Sequence, residues 1–244
     1  MAMGAAEAVG WIGTGLTALW FLSPAPTFRG IVRCKSVGTY DAMPYLMTLL
    51  QCILWLSYSM ITPDRSLVFI TNVLGASLEL LWCLLYLRYS DQKRHMATKL
   101  LLVAILWLGA TLLIQSPMES MVRMKPLKHG ETTRTEFMGM LCVIANIISY
   151  AAPLGVFRQV VRTRSVDSMP LGLSVAATCS SSCWCVYAFL KSDVWVLIPN
   201  INGVFLGFVQ LGLYTYYCRG PSNVDPCEGE TSARGLQGAS RLIP

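Results

Sequence analysis

The sequence predicts an all-α membrane protein with seven transmembrane helices, arranged as two parallel three-helix repeats joined by a linker helix (3+1+3). Three observations predict it. Of 244 residues, 54% are hydrophobic and only 13% charged, too few charges to clothe a soluble domain of this size. Seven apolar stretches, roughly 8–28, 44–62, 66–87, 99–116, 136–157, 170–190 and 194–217, each approach the length of about 20 residues that crosses a hydrocarbon core. The segment FRGIVRCKSV, Phe28 to Val37, also recurs 129 residues later as FRQVVRTRSV, Phe157 to Val166.

The first repeat is expected over 8–89. Its first span follows MAMGAAEAVG, which has no Lys or Arg and one acid, Glu7. A secretory leader begins with positive charge, so this helix is expected to stay in the membrane with the N-terminus outside. The span closes on Pro24 and the basic segment. The second span starts at Met43-Pro44 and carries Trp55-x-x-Tyr58, with Asp64 in the turn beyond. The third carries Asn72-x-x-Gly75, and Tyr86 follows that glycine by eleven residues. The linker span, within 98–116, has no counterpart in the chain.

The second repeat, expected over 136–217, holds the mates. From Pro24 to Val37 against Pro153 to Val166, seven of fourteen positions are identical. Trp184-x-x-Tyr187 with Asp193 answers Trp55, Tyr58 and Asp64; Asn200-x-x-Gly203 and Tyr214 answer Asn72, Gly75 and Tyr86. Met169-Pro170 matches Met43-Pro44 at an offset of 126. Leu and Val recur by chance in apolar helices, whereas paired Pro, Trp, Asn and Asp mark internal duplication. The tail, 219–244, is rich in Gly, Pro and Ser and reads as disordered and cytoplasmic.

Three crossings leave the end of a repeat opposite its start, and the linker helix supplies the return. Both basic segments then share one face. With the N-terminus outside, the inner segments hold thirteen Lys and Arg and the outer ones six, as the positive-inside rule requires. The loop near 117–135 opposes the bias with Arg123, Lys125, Lys128 and Arg134. Parallel repeats about an axis along the membrane normal leave a path between them, where transporters hold substrate.

The stretches SPAPTF, KSV followed by MPY, TNVLG, YAAPL, RTRSVDSMP, CWCVY and IPNINGVFLGFVQLGLY, at these spacings across residues 8–217, resemble the SWEET (MtN3/saliva) family of sugar transporters. The resemblance implies bidirectional facilitated diffusion (uniport) of a mono- or disaccharide by alternating access, without ion coupling. It also implies association into homo-oligomers. The membrane expected is the plasma membrane, with an endomembrane or the vacuole as alternatives.

Asn72 and Asn200 are costly in lipid unless they face the protein interior. An amide both donates and accepts, which suits sugar hydroxyls; a helix–helix hydrogen bond is the competing reading. Trp55 and Trp184 offer flat faces for a pyranose, against the alternative of an interfacial belt. In the resemblance Asn72, Asn200 and Trp184 match substrate-contacting positions. Trp55 stands where some plant members have a small Ser, which narrows the slot and favours a monosaccharide such as glucose. Pro24, Pro44, Pro153 and Pro170 resemble the family's proline tetrad, with the implied role of an inner-gate hinge. Pro44 and Pro170 read equally as residues that start their helices. Tyr58 and Asp193 match positions implied as an outer gate, with Tyr187 and Asp64 as their mates. Asp64, followed by Arg65, reads as a solvated loop residue.

Glu79, the one acid well inside a span, lacks the His or second carboxylate of a proton relay and reads as neutral or hydrogen-bonded. Cys179, Cys183 and Cys185 lie close together without the partners zinc usually takes, and the sequence offers no cofactor or metal site. No paired carboxylates or nucleophile–base pair suggests an enzyme. A G-protein-coupled receptor would need no repeat, and its DRY and NPxxY patterns are missing. An amino-acid transporter of the PQ-loop group would carry Pro-Gln where this chain has Met-Pro. A non-transporting relative with the same bundle would have no use for both Asn and both Trp.

Overall fold

The computed structural model describes residues 2–115, 133–166, 169 and 171–218. Among them are nine α-helices and no strand, and the helices build seven spans long and apolar enough to cross a membrane. The first span is α1 (Ala2–Leu22) followed by α2 (Ala25–Cys34), broken at Ser23 and Pro24. Proline has no N–H for the Trp20 carbonyl, which accepts instead from the Ser23 N–H at 3.1 Å in a tighter turn. Helix α3 (Met43–Ile61) is the second span and α4 (Ser66–Tyr89) the third. The linker is α5 (Lys93–Gln115). The fifth span is again double, α6 (Thr133–Ser149) and α7 (Ala151–Thr163), broken at Tyr150, where Pro153 cannot donate to the last carbonyl of α6. Helices α8 (Leu171–Leu190) and α9 (Val194–Tyr217) complete the bundle.

The predicted first and fifth spans stopped too early. The basic segments are amphipathic helices rather than loops. Phe28 and Ile31, one turn apart on α2, are buried, while Arg29 and Arg33 face outwards. Phe28 stacks on Trp82 with ring centroids 4.8 Å apart and meets Tyr45 edge-on at 5.0 Å. That burial holds a helix whose charges a hydropathy window reads as loop.

Helix α1 packs on α4, α4 on α3, α3 on α6, α6 on α9, α9 on α8, and α8 returns to α1. This is a ring of six helices, with α5 outside it against α3. Exchanging the repeats maps α1 onto α6, α3 onto α8 and α4 onto α9, so α4 and α9 stand on opposite sides of the ring. The backbone keeps the symmetry: α2 and α7 end on left-handed residues, Lys35 (φ 53°) and Arg164 (φ 55°), 129 positions apart.

The core is not distributed evenly along the axis. At the end where α3 and α8 finish, one apolar cluster draws on all six ring helices: Ala6 on α1, Tyr58 on α3, Val68 on α4, Met138 on α6, Trp184 on α8 and Val196 on α9. At the basic end the halves have separate clusters, one around Phe28 and Trp82 and one around Phe157 and Val160. Among the described residues the repeats are thus joined by a shared core at one end only. The sides of the bundle expose large apolar residues such as Trp11, Leu101, Ile148 and Phe205, the surface a lipid environment covers.

Candidate functional site

The six-helix ring sets a stack of layers beneath the joined end. In the outermost layer the turns between α3 and α4 and between α8 and α9 meet. Each turn contains a left-handed residue, Asp64 (φ 61°) and Ser192 (φ 53°), 128 positions apart. The residues before α4 and α9 are Arg65 and Asp193. Pairing Asp64 with Asp193 by sequence is therefore off by one: a one-residue gap falls in this turn, and the structural mate of Asp193 is Arg65.

Those mates carry opposite charges and form an ion pair across the two halves, Arg65 Nε to Asp193 Oδ2 at 2.5 Å, with side-chain exposures of 9% and 0%. Burial alone would weaken the guanidinium's hold on its proton, and the Asp193 carboxylate more than offsets it, so Arg65 titrates above its ordinary value. Asp193 Oδ1 accepts from the Tyr58 hydroxyl at 2.9 Å and from the Val196 N–H at 3.0 Å, which caps α9. One carboxylate thus ties α3, α4 and α9 together. The Tyr187–Asp64 pairing that the sequence alignment suggested is not formed; among the described residues Asp64 Oδ2 accepts from Lys191 Nζ at 2.6 Å. That bond holds the Asp64 carboxyl below the usual range. Asp64 is therefore solvated, as the sequence suggests, with its side chain 65% exposed, and is also ion-paired to the other repeat. Arg65 and Lys191 were missed from the sequence, because their partners lie 128 and 127 positions away and isolated basic residues in loops carry no motif.

The next layer is aromatic. Tyr58 and Tyr187 each lie three residues inside the end of their helix and are fully buried. Each meets the tryptophan one turn below edge-on: Trp55 at 5.4 Å and Trp184 at 5.2 Å. Trp55 and Trp184 lie six residues before Ile61 and Leu190, a little past the middle of α3 and α8 towards this end. They differ in setting. Trp184 is 8% exposed, and its indole N–H donates to Thr17 Oγ1 at 3.1 Å. Trp55 is half-buried. Trp184 can thus offer a ring face but not a free N–H, which alters the role drawn from the sequence.

Asn72 and Asn200 each lie six residues after the start of α4 and α9. At about 1.5 Å per residue this is about 9 Å into the helix, the depth of the tryptophans counted from the same end. Both are half-buried. Each Nδ2 donates to the carbonyl four residues back, Val68 at 2.8 Å and Val196 at 2.7 Å. Among the described residues neither amide oxygen has a hydrogen-bond partner, and no helix–helix bond is made by either. Two amide oxygens and two indoles thus share one layer beneath the buried ion pair and the two tyrosines.

The prolines fall into two kinds. Pro24 sits at the break in the first span and Pro153 three residues after the break in the fifth. Pro44 occupies the first turn of α3, where its missing N–H costs no bond. Pro170 lies outside the described residues. Glu79 is buried, 2% exposed, with Oε2 unpartnered among the described residues.

A family model described as a sugar efflux transporter for intercellular exchange matches residues 7–94 and 136–222. The bidirectional sugar transporter SWEET16 of Arabidopsis thaliana is 36% identical over 221 residues, 91% of this chain and 93% of that protein. The bidirectional sugar transporter SWEET7b of Oryza sativa subsp. japonica is 36% identical over 219 residues, 86% of this chain and 77% of that protein. Among solved structures, that of a eukaryotic SWEET transporter at 3.7 Å resolution superposes with a TM-score of 0.79 at 30% identity, covering 88% of this chain and 97% of the other.

Proposed function

This chain belongs to the SWEET (MtN3/saliva) family of sugar transporters, and on that premise we propose that it carries monosaccharides such as glucose by bidirectional facilitated diffusion. The observation that carries the reading is the shared depth of Asn72, Asn200, Trp55 and Trp184. Their amide oxygens accept from sugar hydroxyls, and the indole faces cover the apolar side of the ring. The half-buried bulk of Trp55 favours one pyranose over two.

Alternating access needs one end closed while the other is open. Tyr58, Asp193 and Arg65, with Tyr187 beneath, form the outer gate. The separate cores at the basic end support an inner gate that parts there, with Pro24 and Pro153 interrupting the helices, Pro44 in the first turn of α3, and Pro170 as the fourth proline of the hinge. The gate end is extracellular, the C-terminus cytoplasmic, the membrane the plasma membrane, and the assembly a homo-oligomer.

The test is uptake of labelled glucose and sucrose into proteoliposomes, with and without a proton gradient, for wild type and Asn72→Ala/Asn200→Ala. Uptake that equilibrates, ignores the gradient, prefers glucose and disappears in the double variant supports the proposal. Accumulation driven by the gradient refutes uniport, and full uptake by the double variant refutes the pocket.

A further inference from the structure

The basic end of the first half carries a cleft and a cavity built partly on residues that the duplication does not repeat. Where α2 crosses α4, an apolar cleft of about 370 Å³ is lined by Phe28, Val32, Trp82 and Leu85, with Arg29 and Arg33 at its edge. Beyond it is a cavity of about 510 Å³ lined by Lys35, Arg88, Tyr89, Ser90, Asp91 and Lys93, three cations against one carboxylate. The two adjoin. Leu85 and Arg88 are one turn apart on α4, and Arg33 and Lys35 are two residues apart at the end of α2. The Arg88 guanidinium lies 5.6 Å from the Tyr89 ring centroid. In the second half, at the offset of 128 that relates α4 to α9, Gln210 replaces Trp82 and Tyr216 replaces Arg88. The symmetry of the bundle therefore does not require Trp82 in the cleft or Arg88 in the basic cavity.

We propose that this pair of cavities is a binding site for an anionic phospholipid. The phosphate headgroup sits among Lys35, Arg88 and Lys93, and an acyl chain lies in the cleft along Phe28, Val32 and Trp82. Charge complementarity and continuity select this occupant. A neutral lipid would leave the three cations uncompensated, and a free anion would leave the apolar cleft unused. The distribution of Lys and Arg puts this end at the cytoplasmic leaflet, where anionic lipids attract basic residues. A lipid held there bridges α2 and α4 beside the break at Pro24.

The full chain, purified and exchanged into a mixture of phosphatidylinositol 4-phosphate and phosphatidylcholine, is examined by native mass spectrometry for retained lipid. The wild type is expected to keep the anionic lipid selectively. Lys35→Gln/Arg88→Gln/Lys93→Gln is expected to hold it about 100-fold more weakly, from the loss of three cations at the surface. The charge-matched Arg158→Gln/Arg162→Gln/Arg164→Gln, at the second-half mates of Arg29, Arg33 and Lys35, is expected to retain it as the wild type does. An anionic lipid brominated on its acyl chain is expected to quench tryptophan fluorescence, and Trp82→Phe to lose part of that quenching. Equal loss in both triple variants, equal retention of phosphatidylcholine, quenching unchanged in Trp82→Phe, or full displacement by millimolar inorganic phosphate would each overturn the proposal. The quenching and displacement arms need no charge-removed variant, so they decide the matter even if the triple variants misfold.

Discussion

Tyr58→Phe removes the hydroxyl's bond to Asp193 and leaves the Arg65–Asp193 ion pair standing. The lost bond runs 2.9 Å from the hydroxyl to Asp193 Oδ1, between groups 0% and 1% exposed. Its acceptor is ionised, which places it at about 1.5–3 kcal/mol, above a neutral pair. Asp193 keeps Arg65 and the Val196 N–H, so no buried charge is orphaned and the larger penalty of a broken pair does not arise. If the bond exists only in the closed arrangement, the closed-to-open ratio falls about 10- to 150-fold. An equilibrium of about 99:1 would move to between about 8:1 and 1:2. Spin labels at Ser66→Cys and Val194→Cys, on the first residues of α4 and α9, in a background with the exposed cysteines replaced by Ser, report the opening as a second, longer distance by pulsed electron resonance. Asp193→Asn and the double variant complete a cycle whose coupling term isolates the bond. A distance distribution unchanged by Tyr58→Phe, in protein that still transports, would refute the reasoning.

Three further outcomes are expected. Gly75→Ala should destabilise the bundle by about 1–3 kcal/mol, because an added Cβ would lie 2.7 Å from Cys52 Sγ and against the Phe21 ring, whereas Gly109→Ala, with nothing within 4 Å, should leave thermal unfolding in detergent unchanged. Asp64→Asn should cost little, since the Asp64 side chain is 65% exposed and exposed pairs contribute little. Because its folded carboxyl titrates below the ordinary value of about 3.9, that contribution is present above the ordinary value and lost as pH falls through the lower folded one. Melting curves of wild type and variant should run parallel from neutral pH down to the carboxylate range and converge below it; divergence on acidification would contradict the assignment. Glu79→Gln, which keeps the buried shape without an ionisable group, should transport as the wild type does at every pH and with either gradient; a lost or newly pH-independent uptake would implicate the carboxyl in coupling.

The sequence by itself determined the architecture, since the features behind it are local or periodic. Apolar stretches long enough to cross a bilayer, the Pro, Trp, Asn and basic-segment pairs, and an unpaired linker helix are all read along the chain, and they specify 3+1+3 without coordinates. The depth of Asn72, Asn200, Trp55 and Trp184 was nearly legible too, because residues equally far from the same end of a membrane helix share a level. Only the tertiary structure decided who meets whom. The ring order places α1 against α8 and α3 against α6, a choice set by interdigitating side chains that no hydropathy window records. The offsets of 129 at Trp55 and 128 at Asn72 imply a one-residue gap between them, and the structure places it in the outer turn, before Arg65 and Asp193. That gap moves the repeat mate of Asp193 from an acid to Arg65 and turns a like-charge pairing into a buried ion pair. Coulomb energy depends on distance through space, so a partner 128 positions away has no trace in the sequence until the helices are packed.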